Sequence, residues 1–587
     1  MELHRKNPSI IPFPETYSND QPVALPIQTS IFRKALLIYP LFPPSFWSFE
    51  GVLALSQKKA LLPPLGLITI AAILPQTWKY KLVDRNVREV TSEEWDWADL
   101  VIISGMIVQK EDFLACVREA KLHQTPVAAG GPYVTALYPE IQAHGADYLV
   151  LDEGEITLPL LVKALEKGEP SGIFRASARP DVTLTPIPRF DLLEMGVYDS
   201  MSVQFSRGCP FQCEFCDIIV LYGRKPRTKA PQQLLQELDA LYDLGWRGVV
   251  FIVDDNFIGN KRNVKGLLRE LQGWQKERGY PFLLLTEASV DLADDSELMD
   301  LMANCGFYWV FLGLETPDES SLKVTKKFQN IRSPMLEAID KIYAKGIRVT
   351  AGLIIGFDGE KPGAGQRIVD FADQAAIPVS MLNLLQALPD TALWNRLRAE
   401  NRLLDSIGTG NNTALINFIP DRPIEEIVTE YLDALSQLFD PERYLDRVYK
   451  QFMRLAPLPH YINPPKNSPR KMRFSFRKTP PPQKSYTPSP WIFLTFVLTV
   501  FWRQGLKRSS RRKFWGYLFS IWRTKRYQLV HYLGTCAMAE HFIDYYPKVK
   551  AEITVQLTEH LEARRMLSDD YAELKTAKLK TTRLKDA

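Results

Sequence analysis

Short apolar runs alternate with stretches of helical spacing over the first part of the chain. Residues 35–40, 80–83, 100–104, 126–129 and 146–150 are apolar runs, and residues 65–74 and 111–122 have helical character. Strand–helix alternation of this kind predicts a doubly wound, Rossmann-like parallel sheet over residues 31–170. Ligands of such sheets lie beyond the carboxyl ends of the strands. Residues 171–200 hold Pro180, Pro186 and Pro188, show weak periodicity, and read as a linker.

Six further strand candidates follow, at 201–205, 248–253, 282–287, 309–315, 348–355 and 379–385. Helical stretches at 231–244, 264–276, 295–305 and 334–345 separate them. Repeated βα units predict a parallel barrel, or a piece of one, over residues 201–400, with its site at the C-terminal ends of the strands. Residues 401–587 read as a mainly helical domain, with an amphipathic helix at 425–438 and a Pro/Lys/Ser-rich linker at 463–490. The first 30 residues have several prolines and no apolar core, so they predict a flexible tail and not a signal peptide.

Composition narrows this picture. The 587 residues suffice for three or four domains, and 46% hydrophobic with 24% charged residues is globular. A net charge of +4 does not call for a nucleic-acid partner. Six cysteines make no disulfide framework, so a reducing cytoplasm is expected.

Three of those cysteines, Cys209, Cys213 and Cys216, form a C-x3-C-x2-C loop. Iron–sulfur clusters are held by thiolates in such runs. A structural zinc site usually takes two ligand pairs, and no second Cys-x-x-Cys or His pair is present. Three thiolates on a four-iron cluster leave one iron open. Cys116, Cys305 and Cys536 are isolated and read as structural. At the ends of the second to fifth barrel strands lie Asp254-Asp255-Asn256-Phe257, Glu287, Gly313-Leu314-Glu315-Thr316 and Gly352 to Gly356. Each acid alone could be a helix N-cap.

The cysteine loop and these strand-end residues resemble the radical S-adenosylmethionine (radical SAM) superfamily. The resemblance implies a partial (β/α)6 barrel with a [4Fe-4S] cluster on Cys209, Cys213 and Cys216. Its open iron would bind the amino and carboxylate groups of SAM, whose cleavage releases a 5'-deoxyadenosyl radical. Phe215 would pack near adenine. Asp254, Asp255, Glu287, Gly313, Glu315, Gly352 and Gly356 would cradle the rest of SAM. Upstream, Pro63-Pro64-Leu65-Gly66-Leu67, Ala129-Gly130-Gly131-Pro132 and Asp152-Glu153-Gly154-Glu155 resemble the cobalamin-binding domain that precedes many radical SAM domains, which implies Gly130, Gly131 and Gly154 at cobalamin. An Asp-x-His-x-x-Gly motif is missing: Gly105-Met106-Ile107-Val108-Gln109-Lys110 follows the third strand.

The segments Asp217 to Arg227 and Asn411 to Pro420 resemble a subgroup with a C-terminal domain of unknown function, to which hopanoid C-2 methylases belong. Arg224, Lys225 and Arg227 read either as holding the loop and neutralising cluster and SAM, or as solvated charge. The resemblance implies a cobalamin-dependent C-methyltransferase acting on an unactivated carbon of a hydrophobic, hopanoid-like substrate, with ferredoxin or flavodoxin as electron donor. A radical cyclase or rearrangement enzyme, or a non-catalytic iron–sulfur regulatory protein, is the alternative.

Residues 491–502 are apolar but too few to span a bilayer, which takes about 20. Basic and aromatic residues interleave after them, so 491–526 reads either as a peripheral membrane contact of a cytoplasmic protein or as a buried hairpin with a basic rim. Residues 548–587 read as a charged, solvated helix.

Overall fold

The computed structural model describes residues 33–404, 408–462, 486 and 490–583. The expected tail at 1–30 and most of the linker at 463–490 lie outside the described residues.

The first sheet has six parallel strands: β1 (Lys34–Tyr39), β2 (Lys79–Asp84), β3 (Leu100–Ser104), β4 (Val127–Gly130), β5 (Tyr148–Val150) and β6 (Gly172–Phe174). Their order is β2-β1-β3-β4-β5-β6. Residues of β1 and β3 are almost wholly buried, because helices cover both faces of the sheet. One face rests on Phe113, Val117 and Tyr133, the other on Leu67, Leu158 and Leu161. The sixth strand falls inside the expected linker at 171–200. Three residues between Gly and Pro-containing turns carry no periodic signal, yet they pair in register with β5.

The second sheet contains β7 (Ser200–Val203), β10 (Val249–Ile252), β11 (Leu283–Ala288), β12 (Phe307–Glu315), β13 (Arg348–Ile355) and β14 (Ser380–Leu384). They lie side by side in sequence order, all parallel, and β7 and β14 at the two edges do not pair with each other. This is the expected open piece of a (β/α)6 barrel. Between β7 and β10 a small antiparallel ribbon, β8 (Ser206–Arg207) with β9 (Arg227–Thr228), pinches off the cysteine loop.

The remainder is helical. Helix Ile424–Leu438 matches the expected amphipathic stretch, and helix Pro441–Arg454 follows it. Helix Pro490–Trp502 continues into a π-turn at Arg503–Lys507 and then helix Arg511–Thr524. The long helix Leu529–Arg583 ends the described chain. Val549 and Ile553 on it are fully buried, so the expected solvated helix starts inside the core. Phe542 stacks between Phe46 and Phe439, at 4.8 and 5.0 Å between ring centroids, and so ties this helix to the loop after β1. No helix among the described residues is long and apolar enough to cross a membrane.

Candidate functional site

The carboxyl ends of both sheets open onto one cavity of about 1280 Å³. Single-ligand pockets usually measure about 300–1,000 Å³, so this space exceeds the needs of one small molecule. The first sheet contributes Gly130, Gly131 and Gly154, and the second contributes Asp255, Glu287 and Asn383. Helix Leu529–Arg583 closes the third side with His531, Thr535 and Met538.

The cysteine loop lies at the top of the second sheet. Gly208 opens it at φ +91°, and an added Cβ there would meet the Gly223 carbonyl oxygen at 2.8 Å. Cys209 N donates to the same carbonyl at 3.2 Å, which closes the loop on itself. The Asn256 side chain donates to Cys209 Sγ at 3.7 Å, and that of Gln329 donates to Cys213 Sγ at 3.6 Å. Burial pushes the Cys209 and Cys216 thiols up. Buried thiolates of this kind need a cation to hold their charge, and the donor set suits iron–sulfur ligation. No three His, Cys, Asp or Glu side chains among the described residues are grouped to hold a single metal ion. A cubane is compatible with that spacing because each thiolate takes a different iron.

Lys327 stands beside the loop. Its ammonium pairs with Glu315 and lies 5.8 Å from the Phe215 ring centroid. Phe215 in turn lies 5.9 Å from Phe357. Glu315 ends β12 at φ +61°, and Asn330 donates to the Gly313 and Leu314 carbonyls beside it at 3.0 and 2.9 Å. Gly356 N donates to the buried Glu360 at 2.9 Å, and a Cβ on Gly352 would meet the Phe311 ring at 2.7 Å. Gly313, Glu315, Gly352 and Gly356 therefore cluster at the ends of β12 and β13, as the sequence places them.

The three remaining acids differ sharply. Asp254 accepts from Phe205 N, Ser206 N and Ser206 Oγ at 2.7, 2.8 and 2.7 Å, so both its oxygens brace the start of the cysteine loop. Burial still raises its pKa to about 6. Asp255 lines the cavity, and one of its oxygens is buried and unpartnered. Burial, then Asp254 and Asp217, raise it to about 7. Glu287 lines the cavity from β11 and is raised to about 8 by burial, then by Asp255 and Asp254. Two carboxyls with raised pKa values that line one cavity are candidates for a binding role.

On the first sheet, Gly131 begins helix Pro132–Ala143 at φ +93°, and a Cβ there would meet Ser104 Oγ at 2.7 Å. A Cβ on Gly130 would lie 3.2 Å from the Val150 carbonyl. Both glycines answer to their own backbone and still present a bare wall to the cavity. The loop after β3 places Met106, Ile107 and Val108 on that wall. His123 pairs with Asp96 at 2.8 Å and His144 bonds to the Glu140 carbonyl at 2.9 Å, both away from the cavity.

Two features escaped the sequence. Lys327 and Gln329 reach the cysteines from a loop more than a hundred residues later, whose sequence is unremarkable in pattern. Arg207 pairs with Glu153 and Glu155 at 2.8 Å each, and Arg227 pairs with Glu153 at 2.7 Å. Arg227 thus locks the two sheets together, while Arg224 and Lys225 stay exposed.

Comparison with known proteins accords with this geometry. Residues 203–372 match the Radical SAM superfamily, residues 52–162 the B12 binding domain, and residues 391–555 a domain of unknown function, DUF4070. The Hopanoid C-2 methylase of Rhodopseudomonas palustris is 35% identical over 527 residues, covering 88% of this chain and 94% of that one. The chain belongs to the radical SAM superfamily. More narrowly, it falls among that superfamily's cobalamin-dependent methyltransferases. An uncharacterized methyltransferase of Synechocystis sp. is 59% identical over 529 residues, 90% of this chain and 95% of its own. The fold is also that of OxsB, a cobalamin-dependent radical SAM enzyme (TM-score 0.53, 15% identity, 91% of this chain and 80% of that one). It is shared with TsrM from Kitasatospora setae, a radical SAM methyltransferase (TM-score 0.50, 16% identity, 73% and 92%).

Proposed function

We propose that this radical SAM enzyme methylates an unactivated carbon of a hydrophobic, hopanoid-like molecule, with cobalamin bound across the first sheet. The observation that carries the reading is the single cavity shared by the carboxyl ends of both sheets. It allows SAM, cobalamin and a substrate to meet without leaving the protein. A [4Fe-4S] cluster, SAM and cobalamin, when bound, supply the radical and methyl-transfer chemistry.

The chain's own residues have separable parts in this. Cys209, Cys213 and Cys216 would hold the cluster, with Asn256 and Gln329 donating to two of the sulfurs. Lys327 offsets negative charge beside them and is itself fixed by Glu315. Phe215 and Phe357 offer an apolar edge for adenine. Asp255 and Glu287 would hold the cationic part of SAM, and Asp254 keeps the loop entry rigid. Gly130, Gly131 and Gly154 give cobalamin a wall without side chains. Met106, Ile107 and Val108 occupy the loop after β3, so that loop would hold cobalamin without offering a histidine. Ferredoxin or flavodoxin would reduce the cluster, and residues 491–526 would contact a membrane.

Anaerobic purification with iron and cobalt analysis, followed by assay for 5'-deoxyadenosine and for methylated lipid, tests the reading. Iron with cobalt, SAM cleavage and a lipid 14 mass units heavier (one CH2) are expected. Deoxyadenosine without bound cobalamin would sink the methyl-transfer reading.

A further inference from the structure

The helical C-terminal domain carries a surface that the reaction does not use. In sequence, residues 447–539, bounded by Asp446 and Glu540, contain nineteen Lys and Arg and no Asp or Glu, and Arg447 among them is buried. Within this stretch, helix Pro490–Trp502 exposes Trp491, Leu494, Leu498 and Trp502, spaced along one side. Helix Arg511–Thr524 exposes Trp515, Phe519 and Trp522 in the same manner. Trp515 Nε1 donates to the Gly505 carbonyl at 2.9 Å, and its ring lies 5.1 Å from Phe501, so the turn joins the two stripes. Trp491 is 76% exposed, Leu498 56% and Phe519 60%. Soluble surfaces scatter such side chains singly; aligned stripes mark an interaction face.

Charge says what covers it. Arg503 and Arg508 pair with Glu540, and Lys513 pairs with Asp446. Lys507, Arg511, Arg512, Arg523 and Arg526 make no ion pair with a carboxylate among the described residues. Lys507 and Arg526 lean over Trp502 and Trp522 instead, each 5.8 Å from the ring centroid. Aromatic residues beside cations that no carboxylate pairs complement the headgroup layer of an anionic bilayer. A second copy of this basic face would set like charges against each other.

The same elements reach the cavity. Phe496 lies on the first of these helices and lines the cavity, as does Val530, one residue into helix Leu529–Arg583. Val530 is also 54% exposed, so the cavity wall meets the surface there.

We propose that the helices Pro490–Trp502 and Arg511–Thr524 dock on a membrane surface containing anionic phospholipid and set the Phe496–Val530 edge of the cavity against the bilayer. A hydrophobic substrate then passes from lipid into the cavity without crossing water. Both deepen the function proposed above, which sets residues 491–526 against a membrane; the docking needs no assumption about the reaction.

Flotation of the full-length holoprotein with vesicles tests the docking. One set is phosphatidylcholine alone and the other carries a third phosphatidylglycerol. Flotation with the anionic set is expected, and its loss in high salt. R511E/R512E should weaken partitioning by about tenfold or more. W491A/L498A/F519A should abolish flotation, with an unchanged circular dichroism spectrum as the check on folding. No flotation, or equal flotation of both variants and wild type, overturns the proposal. So does a dimer in analytical ultracentrifugation that W491A/L498A/F519A dissociates, since a second copy would then cover the face. SAM cleavage is measured on the same preparations. Cleavage without flotation removes the docking and leaves the enzyme reading, and flotation without cleavage does the reverse.

Discussion

Glu287→Gln is the substitution that tests the cavity's electrostatics most directly. The Glu287 carboxyl rises from an ordinary 4.5 to about 8, through burial first and then Asp255 and Asp254. A carboxyl with a higher pKa folded than unfolded keeps its proton in the native state after the unfolded chain has lost it. The native state then binds more protons, so stability falls as pH climbs from 4.5 towards about 8. With those two values, the loss accumulated by about pH 7.5 is at most about 4 kcal/mol, and water in the cavity lessens it. Glutamine keeps the shape and does not titrate. Ligand-free E287Q should therefore melt close to wild type near pH 5 and clearly above it near pH 8. A cation in the site reverses the preference by drawing the proton out. SAM binding to wild type near pH 7 should release protons, seen by calorimetry in two buffers of different ionisation enthalpy, and E287Q should bind more weakly with less release. Parallel melting curves across the pH range, or unchanged proton release in E287Q, would refute the assignment.

Other consequences are simpler to read. Cys209→Ala, Cys213→Ala or Cys216→Ala should each abolish iron retention and deoxyadenosine formation while leaving the far-ultraviolet circular dichroism intact. Arg207→Met strands the buried Glu155 and half of the Glu153 pairing. A loss of about 3–5 kcal/mol is expected, read as a lower melting temperature, and Glu155→Gln in the same chain should recover part of it. Gly131→Ala forces a side chain into φ +93° and against Ser104. It should cost about 1–3 kcal/mol and lower the cobalt retained after gel filtration.

Much of this architecture was legible because buried parallel strands announce themselves. The apolar runs at 100–104 and 348–355 coincide with β3 and β13 to the residue. Of the acids and glycines at the ends of the second sheet's strands, Asp255 and Glu287 line the cavity, whereas Asp254, Gly313, Glu315, Gly352 and Gly356 do not. β6 stayed hidden because Gly172, Ile173 and Phe174 offer no run, and register with β5 alone makes them a strand. Lys327 and Gln329 were silent for a different reason. Their place beside the cysteines follows from the path of the chain after β12, which no local pattern encodes. Nor does a local pattern show that Asp254 and Asp255, adjacent and chemically identical, divide their work. In the turn after β10, Asp254 is held by the backbone of residues 205 and 206, while Asp255 lines the cavity and keeps one buried oxygen without a partner.

The segment from Asp152 to Glu155 shows how the same residues join the two halves of the site. Glu153 and Glu155 are engaged by Arg207 and Arg227, which flank the cysteine loop on β8 and β9. Gly154 between them stays on the cavity wall. All four residues of the tetrapeptide line the cavity, and Glu153 and Glu155 also hold the ribbon that closes the cysteine loop. Arg207 immediately precedes Gly208, the hinge of the cysteine loop. A shift of the first sheet would thus pull on the loop through a buried ion pair, and the distance between the two proposed cofactor seats is set by those few charge-assisted bonds. That coupling is why Arg207→Met should disturb both iron and cobalt retention together, an outcome that independent domains would not produce.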